Sequence, residues 1–194
     1  IVIYLDASGE HGIVAAKDEV RDTDGNAINV FWNNGKNNHY ETGTSSLDQQ
    51  AVGKGAENTQ LIITAHGAVD FDETDPKVSS PYAAQICDDW TYEDTDGTVY
   101  DDWYLPSLEE VYLMQIARDN GFLTLLDADD PSGSGGRYWT SNGYAPEGAD
   151  DSFFTADGIP KFAWRVIMKK SGGSGGAGHM KYDDMPVSRA CRTF

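Results

Sequence analysis

The chain has 194 residues, 39% hydrophobic and 11% aromatic. That is enough to bury about two thirds of its unfolded surface in one large domain or two small ones, and too apolar for a disordered acidic tail. Its 32 acidic against 14 basic residues give a formal charge of −18, which repels nucleic acid and anionic lipid and leaves no basic stripe to follow phosphates.

Ile1-Val2-Ile3-Tyr4-Leu5 is an apolar β-rich run, Asp6 to Gly12 supplies a turn, and Ile13-Val14-Ala15-Ala16 resumes the strand, so the chain is expected to open with a hairpin. Because it opens without an initiator Met, an export signal is expected upstream. Residues 17 to 56 are rich in Gly, Asn, Asp and Thr and read as a long loop anchored by Val30-Phe31-Trp32. A helix is expected over about 57 to 66, with Glu57-Asn58-Thr59 as N-terminal caps. A short helical segment follows over 81 to 87, with Ser80 as cap and Pro81 at the first helical position.

The clearest local signal is Leu105 to Gly121, where Ser107 and Glu110 form a capping box, Leu108, Val111, Tyr112 and Ile116 share a face, and Gly121 stops the helix. Residues 136–141, 152–155, 161–168 and 187–192 then read as strands of an antiparallel meander, with the Gly-rich stretch 171–178 a flexible connection that is either a natural loop or an inserted linker. No repeat or linker divides the chain, so residues 1–194 are read as one α+β domain with long irregular loops. No apolar run approaches the roughly 18 residues a membrane span needs, so no membrane insertion is expected within this segment.

Motifs of chemistry are sparse. Residues 173 to 178 fit a G-x-G-x-x-G spacing, but no helix opens after them and no βαβ unit surrounds them. His11, His39, His66 and His179 lack the pairing of a metalloprotease helix, and no nucleophile elbow or P-loop occurs. The pairs Asp22 and Asp24, Asp94 and Asp96, and Asp127 and Asp129 with Asp130 each place oxygens two residues apart on a loop, the spacing of calcium ligands. None completes an EF-hand, and tight Asp-Gly turns are the simpler account, with calcium kept as a candidate cofactor. Trp90, Tyr92, Tyr100, Trp103 and Tyr104 crowd the segment before the long helix; they are core side chains or a stacking platform for sugar rings. Cys87 and Cys191 are either independent buried thiols or one disulfide, worth about 4–5 kcal/mol over a loop of roughly a hundred residues.

Ile1 to Asp6 with Gly9 to Ala16, Ala83-Ala84 and Cys87, Asp102-Trp103-Tyr104-Leu105-Pro106-Ser107 with Glu109-Glu110, Tyr138-Trp139-Thr140-Ser141, Ala163 to Val166 and Ser188 to Arg192 resemble, in order, the Lcl C-terminal domain family of bacterial surface proteins. The resemblance implies a C-type-lectin-like fold, related to formylglycine-generating enzymes, displayed at a bacterial surface or secreted. It also implies a Cys87–Cys191 disulfide and an oxidising compartment. On this reading Trp103, Pro106, Glu110, Tyr138, Trp139 and Trp164 hold the fold.

The expected function is a non-enzymatic adhesion module that binds a glycan or host polymer through loops near 127–151 and 171–184. The candidate ligand contacts are Asp127, Asp129, Asp130, Asn142, Tyr144, Asp150 and Asp151, and the candidate calcium ligands are Asp22, Asp24, Asp94 and Asp96. The alternatives are a structural or pilus-tip subunit that binds other surface proteins, and an oxidase, which would need a reactive cysteine.

Overall fold

The computed structural model describes residues 1–21, 27–33, 42–67, 82–126, 136–145, 148–154, 156, 159–169, 174–180 (backbone only) and 186–194. Strand β1 (Val2–Leu5) pairs antiparallel with β2 (Gly12–Ala15), as the opening pattern predicts. Asp6 makes the turn: its Oδ1 accepts the amides of Ser8 (3.0 Å) and Gly9 (2.9 Å), and Gly9 takes φ 75°, a region open to glycine at no steric cost.

Helix α1 (Leu47–Gln50) is one turn capped by Ser46. Helix α2 (Gly55–His66) starts two residues before the expected position, because Asn58 and Thr59 are not caps. Both are buried and tie the helix to distant chain: Asn58 Nδ2 donates to the Gln49 carbonyl (2.7 Å) and Ser141 Oγ (3.1 Å), and Thr59 Oγ1 accepts the Leu105 amide (3.0 Å). Helix α3 (Ala83–Asp88) follows; its expected Ser80 cap and Pro81 lie outside the described residues. A short hairpin of β3 (Tyr92–Glu93) and β4 (Val99–Tyr100) leads to helix α4 (Leu108–Asp119), whose capping box is present as read. The buried face of α4 is Leu108, Glu110, Val111, Met114 and Ala117, whereas Ile116, expected on that face, is 52% exposed.

Strand β5 (Arg137–Tyr144) pairs antiparallel with β6 (Phe162–Met168), and β6 with β7 (Ser174–Met180). The Gly-rich stretch is thus an edge strand over Ser174–Met180, its backbone in register with β6 from Phe162↔Met180 to Met168↔Ser174. Of the strand expected over 152–155, residue 155 lies outside the described residues and 152–154 form no strand: Asp150 caps a 3-10 turn at Asp151–Phe153, and Phe154 makes one bridge to Pro160. Strand β8 (Cys191–Thr193) leaves the meander and pairs with β2, giving the order β1-β2-β8.

The described residues are therefore mixed α+β, with four helices and small antiparallel sheets among them. Successive strand residues face opposite ways, so β5 and β6 separate two buried clusters. Tyr138, Val166 and Met168 pack with α4, Ile13 and Cys191, while Trp139 and Ala163 pack with Trp32, Tyr82, Ala83 and Cys87. The anchor read at Val30-Phe31-Trp32 is real: Val30 and Trp32 are buried, Trp32 Nε1 donates to the Thr140 carbonyl (2.7 Å), and Trp139 Nε1 donates to that of Val30 (2.8 Å).

The disulfide implied by the resemblance is not formed. Cys87 on α3 and Cys191 on β8 are free, fully buried thiols that sit in different clusters, and burial pushes both thiols well above the ordinary value.

Candidate functional site

An aromatic cleft of about 380 Å³ opens where three distant pieces of chain meet. The first piece is the β1–β2 hairpin and its continuation, contributing Ile1, Val14, Ala15, Ala16, Lys17 and Asp18; the second is the β3–β4 hairpin with its flanks, contributing Trp90, Tyr92, Asp94, Tyr100 and Trp103; the third is Arg192 on β8. Backbone pairing explains the convergence. Val14 stands opposite Arg192 in the β2–β8 register, and Tyr104 and Cys191 exchange amide-to-carbonyl hydrogen bonds at 2.8 and 2.9 Å, which draws the Tyr100–Tyr104 stretch beside β8.

The rings form two contacting pairs. Tyr92 and Tyr100 are cross-strand partners with near-parallel rings (20°) and centroids 6.4 Å apart, and Trp90 lies 4.7 Å from Trp103, whose Nε1 donates to the Tyr100 carbonyl (3.1 Å). Trp103 is buried and braces the floor, whereas Tyr92 is 45% exposed. Such faces accept the C–H side of a sugar ring or a cation. Arg192 lies with its guanidinium carbon 4.5 Å from the Tyr100 centroid and donates through Nε (2.6 Å) and Nη2 (2.9 Å) to both oxygens of Asp102. The Arg192 hydrogen bonds hold the Asp102 carboxyl below its ordinary value, and the same bonds raise the Arg192 guanidinium.

The sequence-predicted contacts are not brought together here. Asp127, Asp129 and Asp130, and of the calcium candidates Asp22 and Asp24, lie outside the described residues. Asn142 is not a ligand contact: it is buried, its Oδ1 accepts the Leu108 amide (2.8 Å), and its Nδ2 donates to the carbonyls of Thr44 (3.0 Å) and Gln49 (2.8 Å). Asp150 caps the 3-10 turn through the Ser152 amide (2.8 Å), and Asp151 is exposed beside it. Tyr144 joins a separate half-buried aromatic group, edge-on to Trp164 at 4.4 Å.

Asp94 and Asp96 bind their own turn, Asp94 Oδ1 accepting the Thr95 amide (2.6 Å) and Asp96 Oδ1 that of Thr98 (2.9 Å), with Gly97 at φ 85°. Among the described residues no group of three or more His, Cys, Asp or Glu side chains is placed to hold a metal ion. Also among them, no helix is long and apolar enough to cross a membrane. The crowding of aromatics over residues 90–103 was the legible signal for the cleft; Lys17, Asp18 and Arg192 carried none. No protein-family model, no curated protein and no solved structure matches the chain.

Proposed function

We propose that this chain is an extracellular, non-enzymatic binding module of the Lcl C-terminal kind, with a C-type-lectin-like fold, and that it seats a carbohydrate polymer in the aromatic cleft. The carrying observation is exposed Tyr92 with half-buried Trp90 and Tyr100 beside a buried Trp103 in a cleft of about 380 Å³. A concave, mostly apolar wall with a few polar groups at its margin is the common form of a small-ligand site. Aromatic faces match the apolar side of a pyranose, while the rim charges meet its hydroxyls. The resemblance of the ordered motifs to those of bacterial surface proteins supports display outside the cell. The two buried thiols, both shifted away from the thiolate, favour binding over the oxidase reading.

The test is a glycan array followed by intrinsic tryptophan fluorescence titration with the hits, run with and without millimolar calcium because the acidic loops carry oxygen pairs of calcium-ligand spacing. Trp90→Ala and Tyr92→Ala should each weaken binding about tenfold or more, equivalent to ~1.4 kcal/mol, with the far-UV spectrum unchanged. A folded protein that retains no glycan, or variants that bind as the parent does, would sink the reading.

A second reading, a subunit that binds another surface protein, is favoured by β1, where Val2 and Leu5 are 54% and 51% exposed beside Tyr4 and Phe194. Val2→Asp with Leu5→Asp would then abolish capture of the partner while leaving glycan binding intact.

A further inference from the structure

The charges around the cleft are unequally committed. Arg192 is engaged on two sides at once, by both oxygens of Asp102 and by the Tyr100 ring. The carboxylates on the rim are more available: Asp18 touches Arg21 only at 3.8 Å and its side chain is 59% exposed, and the turn bonds of Asp94 to Thr95 use Oδ1 alone. Asp18 and Asp94, with Asp102 beside them, are matched one for one by Lys17, Arg192 and the Ile1 ammonium, which is tied to the Ala15 carbonyl at 2.9 Å, so the negative field at the cleft is that of the whole molecule, of formal charge −18. Such a field concentrates cations at the cleft and turns away uronic acids and sulfated sugars. The ring faces act in the same direction, since an aromatic face is the negative side of its quadrupole and draws ammonium groups. Tyr100 already holds one cation in this way.

We propose that the cleft selects amino sugars carrying a free, protonated amine, as in a deacetylated N-acetylglucosamine polymer, with the sugar face on Trp90 and Tyr92 and the ammonium paired with Asp94 and Asp18. This rests on the carbohydrate reading above. It adds a sign of charge that shape and stacking alone do not provide, because an N-acetylated sugar offers the same ring face without the cation.

The experiment compares three tetrasaccharides by calorimetry on the whole chain: one of glucosamine, one of N-acetylglucosamine and one of a uronic acid. The pH is mildly acid, so that the sugar amine is protonated. The glucosamine tetramer should bind about tenfold more tightly than the acetylated one. The uronate should not bind. Salt at about 0.5 M, where the Debye length falls to a few ångströms, should bring the preference towards parity, as should the double variant Asp18→Asn with Asp94→Asn, in which the asparagine at 94 can keep the turn. Equal affinity for the amine and its acetylated form, or tighter binding of the uronate, would overturn the selection while leaving a carbohydrate site in place. Binding of none of the three, together with a blank glycan array, would remove the carbohydrate reading and this inference with it.

Discussion

At Gly55 the first residue of α2 passes so close to its neighbours that a β-carbon would lie 2.5 Å from a Tyr104 ring carbon and would also strike the Glu110 carboxylate. Gly55→Ala should therefore cost about 1–3 kcal/mol, as overpacking of tight sites does, read as a lower midpoint in urea at unchanged slope. Glu110 itself accepts the Gly53 amide (2.8 Å) and the Ser107 amide (2.8 Å), while Ser107 Oγ donates to the Ala51 carbonyl (2.9 Å), so one capping box fastens both the start of α4 and the approach to α2. Ser107→Ala should cost about 1–2 kcal/mol in the same measurement. The Asp102–Arg192 pair predicts a pH dependence. Because the folded-state value of Asp102 lies below its ordinary 3.8, the contribution is present above that pH and is lost as the carboxyl protonates on further acidification. With the Asp102 side chain half exposed, the pair is worth about 0.5 kcal/mol. The melting-temperature gap between the parent chain and Asp102→Asn should be small at neutral pH and close as the pH falls well below 3.8; a gap that widened on acidification would refute the assignment.

Helix α4 separates what periodicity can and cannot tell. Its caps were legible because Ser107 and Glu110 act within one turn, but its buried face was assigned by hydrophobicity, which placed Ile116 inward. The core takes Met114 and Ala117 instead, and even the carboxylate of Glu110, because tertiary contacts decide which side of a mixed helix is covered. Met114→Ala should cost about 2–5 kcal/mol and Ile116→Ala less than about 0.5 kcal/mol, and thermal unfolding of the two variants checks the orientation directly. Strand β7 was missed for a related reason. Glycines have no side-chain pattern to read, and the pairing that orders Ser174–Met180 comes from the backbone of β6. The cleft was half legible: the rings at 90, 92, 100 and 103 cluster in sequence, but Arg192 reaches them only because Val14 and Arg192 are partners across β2 and β8. Asn142 misled because a polar residue beside an acidic loop has the same appearance in sequence as one satisfying buried backbone groups.

For the molecule as a whole, the dominant long-range quantity is its charge. A formal −18 on 194 residues loads the folded state with self-repulsion that mobile ions relieve. Raising sodium chloride from about 0.05 to 0.5 M should therefore raise the melting temperature by a few degrees, whereas a fall would mean that local ion pairs outweigh the global field. The same salt should weaken binding of a cationic ligand in the cleft, so stability and affinity are expected to move in opposite directions across one titration.

The closure of β2 by β8 also sets an order of events during synthesis. Residues 12–15 leave the ribosome roughly 180 residues ahead of their second partner, Cys191–Thr193. At about 5–20 residues per second that is a wait on the order of ten to thirty seconds. Through that interval the β1–β2 hairpin has one unsatisfied edge, and the nascent chain cannot lock into its final form.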